Sequence, residues 1–457
     1  MRAVPTEVET DRQPPMALPL GHFLVGLALL VAGALAGVLD VLGVVPGLLG
    51  LAHAHLLVAG WVCVTIMGAM TQFVPVWSNV ALHSRRLATA QLWLVTAGVG
   101  GMAVAFATGA LPWVHALGGL AVLGFWTFVY GLGRTLLAAR PWDVTERHFA
   151  IALAFVAVVP ALGFALAMDY TVPVFAALPV GRTDVVAAHV TLAIFGVVLT
   201  TVVGALYQLA TMFTGTELHG VDTTLQRVEE VAYPVGVVAL ATGRLLESPL
   251  LARAGALLVV VALGGFVVVL ARRLVETDVE WNPMLARYAV AAVALGAWAL
   301  AASRTWLADP LADATLFGPT PHLILFGVVG FVVTGTLYHV VPFIVWVHRY
   351  SDRLGFEPVP MVDDLYHDRV ATADFLATLA GATGLVATDV LELPTTVTAV
   401  AGALATLGFV LFATNMALVV REHSPHAVHE ILIGRPETGG AAGDTADEGS
   451  PSKGATR

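Results

Sequence analysis

Four histidines stand at the start of long apolar segments of this chain. His53 and His55 open HAHLLVAGWVCVTIMGAMTQFVP, His189 opens HVTLAIFGVVLTTVVGALYQLAT, and His322 is the third residue of TPHLILFGVVGFVVTGTLYHVVP. Imidazole is the commonest metal ligand among side chains, and ionisable groups in membrane segments are costly and usually functional. Two histidines on facing helices can hold a haem iron from both sides, in a low-spin state suited to electron transfer. We therefore expect at least one of His53 and His55 to bind a haem.

The three segments align with one another without gaps. Their first residues are 136 and 131 positions apart, which is the spacing of a unit of four membrane helices. A weaker similarity joins GHFLVGLAL, RHFAIALAF and RYAVAAVAL, which open the first, fifth and ninth apolar segments. Three such units predict twelve helices. The positions shared by the three copies are Gly60, Gly196 and Gly327, then Gly68, Gly204 and Gly335, then the polar residues Gln72, Gln208 and His339.

The histidines mark two faces of these helices. Residues two apart on a helix point about 200° apart, so His53 and His55 cannot serve the same pocket. In the aligned copies, His53 corresponds to His189, whereas His55 corresponds to His322.

The composition is that of an integral membrane protein. Of 457 residues, 58% are hydrophobic and 12% are charged, and the mean hydropathy is +0.84. Apolar runs long enough to cross a bilayer as helix recur along the chain. We predict an all-α fold of twelve transmembrane helices in three four-helix arcs related by pseudo-threefold symmetry. The predicted spans are 17–44, 51–77, 87–109, 111–133, 148–168, 185–213, 229–246, 251–271, 284–303, 320–347, 370–391 and 395–420.

The predicted organisation has three parts. Residues 1–16 form a cytoplasmic N-terminal segment, 17–420 the membrane domain, and 421–457 an acidic tail too polar to fold. Most arginines lie at one end of the predicted spans, and only Arg182, Arg244, Arg253 and Arg304 lie at the other. The positive-inside rule then places both termini in the cytoplasm of a multi-pass cell-membrane protein.

Other compositional features limit the possible functions. Cys63 is the only cysteine, which excludes disulfides and cysteine-ligated clusters within this chain. The net charge is −10 and Lys453 is the only lysine, so we expect no nucleic-acid partner. The chain contains no CxxCH motif, so a haem would not be thioether-linked to it.

The architecture and the motifs HAHLLVAGW, AAHVTLAIFG and PHLILFGVVG resemble catalytic subunit I of the haem-copper oxidase superfamily, which includes the nitric oxide reductases. The resemblance covers about residues 17–420. It implies a low-spin b-type haem between helices two and ten, with His322 and either His55 or His53 as ligands. We favour His55 because it shares the repeat position of His322. Arg304 and Arg182 would pair with haem propionates, or would only anchor the protein at the membrane surface.

The chain departs from this family at the catalytic centre. Thr320 stands where the family has the ligand of its active-site haem, and Ala193 where the classical oxidases have a covalently linked tyrosine. His189 matches one copper ligand and is a tentative metal ligand, but VEEVAYPVGVVALATGRLL contains no histidine for the others. We therefore expect no copper and favour respiratory electron transfer, with oxidoreductase activity left open. The alternatives are a complete terminal oxidase or nitric oxide reductase, a haem-free transporter, and a haem-based gas-responsive membrane protein.

A second set of polar residues is predicted near the cytoplasmic face. It would form a proton inlet, a quinol pocket or a second haem site, or simply the usual polar belt of a membrane interface. Electron partners would be quinol, or a small cytochrome or cupredoxin subunit. His115, at the other face, is an unassigned candidate. The members of this inner set are His22, Gln72, His148, Tyr207, Gln208, Tyr338 and His339.

Overall fold

A computed structural model describes residues 14–433, and nearly all of the regular structure in that range is helical. The helices are α1 (Ala17–Leu42), α2 (Leu49–Ser78), α3 (Arg85–Thr108), α4 (Leu111–Ala138), α5 (Val144–Met168), α6 (Arg182–Thr214), α7 (Val221–Leu245), α8 (Pro249–Val275), α9 (Pro283–Ala308), α10 (Leu323–Arg349), α11 (Asp368–Val390), α12 (Thr395–His423) and α13 (Val428–Ile433).

Eleven of the helices in residues 14–433 are long and apolar enough to cross a membrane. The prediction of an all-α chain with many such helices is therefore confirmed. The exception among the long helices is α7, which spans a similar length but carries five charged residues. Asp222, Glu229 and Arg244 of that helix are buried inside the protein, so their charges face protein and not lipid.

Local sequence signals explain where several helices begin and end. Asp143 and Glu146 form a capping box that starts α5, and Asn282 caps α9 directly before Pro283. Gly43 and Gly109 end α1 and α3 in the left-handed conformation, which glycine adopts without steric cost.

Consecutive helices pack as close pairs where glycine, which has no side chain, lets the two backbones approach. A Cβ atom at Gly98 of α3 would lie 2.4 Å from the backbone nitrogen of Ala121 in α4. Gly255 and Gly381 make equivalent close approaches between α8 and α7 and between α11 and α12. Helix backbones in membranes associate through such small-residue contacts. The two ends of the membrane domain also meet, because α1 packs against α12.

The helices α2, α6 and α10, hereafter the signature helices, each contain a π-helical segment. These segments are 56–62, 192–199 and 323–330, and each begins three residues after the first residue of the aligned sequence copy. Wide π turns are rare and often occur at functional sites. The irregularity therefore recurs in register with the sequence repeat, directly after the histidines.

The shared glycines also make recurrent contacts. The first glycine of each signature helix packs against the helix that precedes it, at Leu29, Phe155 and Ala294 respectively. The second glycine packs against His22, His148 and Arg287, which stand seven residues before those positions in all three cases.

The C-terminal region is more ordered than the sequence predicts as far as residue 433. Helix α12 continues to His423, and α13 follows, with Ile431 buried beside Gly21 of α1. The rest of the predicted tail, 434–457, and the first thirteen residues lie outside the described part of the chain.

Candidate functional site

All four histidines of the aligned segments line one cavity of about 610 Å³. Its volume is typical of sites for small molecules and cofactors, which occupy roughly 300–1,000 Å³. Its walls are mostly apolar and come from α1 to α6 and from α10 to α12. Within residues 14–433, no residue of α7, α8 or α9 lines it.

His53 is held against α1. Its Nδ1 donates a hydrogen bond to the carbonyl of Gly33 at 2.8 Å. A Cβ atom at Gly37 would lie 2.5 Å from the same nitrogen, so a glycine is needed for the ring to sit there. Asp40, one turn further along α1, lines the same cavity.

His189 is held in the same way against α5. Its Nδ1 donates to the carbonyl of Val159 at 3.1 Å, and its ring packs beside Gly163. Gly33 and Val159 are each eleven residues beyond the corresponding positions His22 and His148. The structural setting of His189 therefore repeats that of His53.

His322 is bound by an acidic residue from α11. Its Nδ1 lies 2.9 and 3.0 Å from the two carboxylate oxygens of Asp389, and its backbone N–H donates to one of them at 3.2 Å. The last turn of α11 brings the Asp389 carboxylate to the start of α10.

His55 binds within its own helix. Its Nδ1 donates to the carbonyl of Leu51 at 2.8 Å, and its ring lies 5.5 Å from the ring of Phe106 in α3. The side chain thus faces α3, whereas the neighbouring His53 faces α1. The two opposed faces predicted from the helical period are present, but both side chains line the same cavity, so the prediction that they cannot serve one pocket is wrong. The cavity extends past both sides of α2 and so reaches both rings.

All four imidazoles share one chemical property. A carbonyl or carboxylate accepts from Nδ1, so the proton of the neutral ring lies on Nδ1 and Nε2 carries a free lone pair. Metal-ligating histidines are typically held by such a bond from the second ring nitrogen. The four side chains are therefore in the tautomer that can bind iron through Nε2.

The histidines form two neighbouring pairs. His53 lies within electrostatic range of His322, and His55 lies within electrostatic range of His189. Of the two candidate ligands on α2, His53 is therefore the one with an electrostatic relation to His322.

The third junction between signature helices contains an arginine. At the repeat positions concerned, α6 has Thr191 and α10 has Thr320, and both threonines are buried. The guanidinium of Arg244 from α7 donates to the Thr191 hydroxyl at 2.7 Å. It also donates to three backbone carbonyls in the connection between α9 and α10, at 3.0–3.2 Å.

Two tryptophans complete the packing around Arg244. The rings of Trp298 and Trp306 meet edge to face at 5.3 Å, and the Trp306 ring lies 5.4 Å from the guanidinium carbon. Each indole N–H donates to a carbonyl in the same connection, at Phe317 and Thr315. This junction is thus filled by side chains, whereas the other two open into the cavity.

The two arginines predicted for propionates are not among the residues that line the cavity. Arg182 pairs with Asp169 at 3.0 Å and lies over the Tyr170 ring. Arg304 is exposed and forms no ion pair with any residue in the described range.

No group of three or more histidine, cysteine, aspartate or glutamate side chains that could hold a metal ion occurs within residues 14–433. The sequence analysis gave His189 as a tentative metal ligand. The histidine nearest to it in electrostatic terms is His55, a second candidate ligand. A haem iron takes only two axial side chains, so pairs of histidines remain the relevant donor sets.

The second polar set is built around three equivalent buried residues, and two of them have an acidic partner. His22, His148 and Arg287 each donate to the carbonyl four residues before them, at 2.7–2.8 Å. His148 contacts Glu229 at 3.1 Å, and Arg287 pairs with Asp374. The sequence analysis did not include Arg287 or Asp374 in this set.

Of the remaining inner residues, Tyr338 and Tyr207 contact these groups, at Asp374 and at His148, whereas His339 and Gln72 lie elsewhere. The His339 ring packs against Phe213 at 4.3 Å, and the side-chain oxygen of Gln72 has no hydrogen-bond partner in the described part of the chain. Tyr338 donates to Asp374.

No family model matches the chain, and no curated protein matches it.

Proposed function

We propose that this protein is a membrane electron carrier whose haem is held between His53 and His322. The observation that carries the proposal is the shared geometry of these two side chains. They line one cavity, come from α2 and α10, and each has Nδ1 engaged and Nε2 free. A protein of this kind resembles subunit I of the haem-copper oxidase superfamily without its copper site.

The organisation that we propose has twelve membrane spans in three four-helix arcs, with both termini in the cytoplasm. Three recurrent features support it: the sequence repeat, the π segments in register, and the glycine contacts with the preceding helix. In this arrangement α7 is the seventh span, and its charges are buried among protein side chains.

The side chains of this site have distinct tasks. His53 and His322 would hold the haem iron through Nε2, and the Gly33 carbonyl and the Asp389 carboxylate would fix the tautomer and orientation of the two rings. The carboxylate also makes His322 a more basic ligand. A b-type haem held by two imidazoles would supply reversible one-electron transfer.

The proposal excludes reduction of oxygen or nitric oxide at the family's usual place. In that family the copper ligands come from helices six and seven. Here the corresponding junction holds Arg244, Trp298 and Trp306, which occupy the space and contribute no neutral imidazole.

The test is spectroscopic. The protein, purified from cells supplied with haem, is expected to give sharp low-spin bands in a dithionite-reduced minus oxidised spectrum and a haem b pyridine haemochrome. Carbon monoxide is expected to leave the reduced spectrum unchanged. A carbon monoxide shift would show an open iron and favour a gas-binding function, and a folded preparation without haem would reject the proposal.

A further inference from the structure

We infer that the chain holds a second haem, between His55 of α2 and His189 of α6, on the opposite side of α2 from the first. This inference rests on the proposed function for the identity of the cofactor. It rests on a separate pair of residues for the site itself. Both histidines line the cavity, and each has Nδ1 bound and Nε2 free.

The pairing follows a rule that runs around the three signature helices. At two junctions, the third position of one aligned copy lies near the first position of the next. His322 lies within electrostatic range of His53 of α2, and His55 of α2 lies within electrostatic range of His189 of α6, and all four side chains line the cavity. At the third junction the corresponding residues are Thr191 and Thr320, and Arg244 donates to the Thr191 hydroxyl. Two junctions thus carry a histidine pair, and the third carries none.

The side of the cavity next to His55 and His189 has walls suited to a flat apolar ring. It is lined by α3, α4 and α5, with Met102, Gly118, Ala121, Val156 and Pro160 among the lining residues. No ionisable side chain of these three helices lines the cavity. An apolar enclosure with two convergent nitrogen ligands is the general form of a cofactor site.

The first pair has a different surrounding. The side of the cavity near His53 and His322 is lined by α1, α11 and α12, and it includes Asp40. Asp389 further binds His322. The two sites are therefore separable by mutation, since their ligands share no residue and their walls come from different helices.

The experiment measures haem per chain, by pyridine haemochrome against quantitative amino-acid analysis, in intact protein purified from cells supplied with haem. The wild type is expected to contain two haems. His189→Ala and His55→Ala are each expected to retain one haem, and His322→Ala is expected to retain the other. The double variant His189→Ala/His322→Ala is expected to contain none. His115→Ala, which changes a histidine outside the cavity lining, is expected to retain both.

The possible results separate this inference from the proposed function. One haem in the wild type, lost in His322→Ala and kept in His189→Ala, overturns the second site and leaves the proposed function intact. One haem lost in His189→Ala and kept in His322→Ala supports the second site and rejects the first. No haem in folded wild-type protein rejects both.

A second variant covers the case in which loss of the ring destabilises the protein. Methionine is also an axial ligand of low-spin haem, and it raises the reduction potential relative to histidine. His189→Met is expected to keep two haems, with the reduced-to-oxidised ratio of only one of them raised at least tenfold at a fixed potential. If both haems of His189→Met had the reduction potentials of the wild type, ligation by His189 would be contradicted.

Discussion

Asp389 of α11 binds His322 of α10 through three contacts, two to the imidazole Nδ1 and one to the backbone N–H. The carboxylate side chain is 13% exposed, so solvent screens it only in part. A partly buried carboxylate behind a haem ligand makes the ring more basic and stabilises the oxidised, more positive iron.

Asp389→Asn is therefore expected to raise the midpoint potential of the haem bound by His322. The amide can still accept from Nδ1, so the haem remains bound while the negative charge is lost. A rise on the order of 60 mV corresponds to a tenfold change for one electron, and a potentiometric titration in detergent measures it. Asp184→Asn, which alters a carboxylate that caps α6 and contacts no histidine, is the control. An unchanged potential in Asp389→Asn would contradict ligation by His322.

The glycine contacts of the signature helices predict a stability difference. A Cβ atom at Gly204 would lie 2.3 Å from the Cβ of His148, which cannot move without its helix. Gly204→Ala is expected to lower the free energy of unfolding by about 1–3 kcal/mol through overpacking. Gly100→Ala, in α3 with no atom within 4 Å of the added carbon, is expected to be neutral or slightly stabilising. Thermal unfolding in detergent compares the two variants with the wild type. Equal melting temperatures of Gly204→Ala and Gly100→Ala would refute the close packing at Gly204.

The buried pair of Arg287 and Asp374 predicts a strong coupling. Arg287→Met leaves the Asp374 carboxylate without its cation, which costs about 3–5 kcal/mol for a buried pair. The double variant Arg287→Met/Asp374→Leu is expected to be more stable than either single variant, because no unpaired charge remains. A double-mutant cycle on thermal unfolding measures this coupling. The exposed pair Arg353 and Glu357, at 3.4 Å, is the control and is expected to contribute less than about 1 kcal/mol. Additive effects at Arg287 and Asp374 would contradict the pairing.

Glu276, directly after α8, predicts an acid-dependent change in stability. The hydrogen bond from His219 lowers the pKa of Glu276 below its ordinary value, and Arg273 and Arg272 lower this pKa further. A lowered folded-state pKa gives stability that is present above the unfolded-state pKa and is lost as the pH falls through the folded-state pKa. Glu276→Gln is therefore expected to melt below the wild type near neutral pH and to approach it below about pH 4. A constant difference in melting temperature across this range would contradict the assignment.

The sequence predicts most helix positions because apolar length is a strong signal. The third span was predicted at 87–109 and forms at Arg85–Thr108. The seventh was predicted at 229–246, yet α7 begins at Val221. Its first turns carry charge, and hydropathy alone cannot show that Asp222 pairs with Arg272 and Arg273 of α8.

The histidine layer was also predictable from the sequence, whereas the pairing that we propose was not. Repeat alignment shows which residues occupy equivalent positions, and it led to His55 as the partner of His322. Which positions face one another depends on the order of helices around the bundle. Asp389 was missed as a partner because it lies 67 residues from His322. Arg244 looked like an orienting surface arginine, and only the fold shows it buried between α6 and α10.

The most direct test of the proposed function is the haem content and reduced-minus-oxidised spectrum of His53→Ala, His322→Ala and the corresponding double variant, with His115→Ala as control. We expect each single variant to lose one haem per chain and the double variant to lose no more than either single one, because both side chains bind the same iron. Unchanged haem content in His322→Ala, or a further loss in the double variant, would contradict a haem held between His53 and His322.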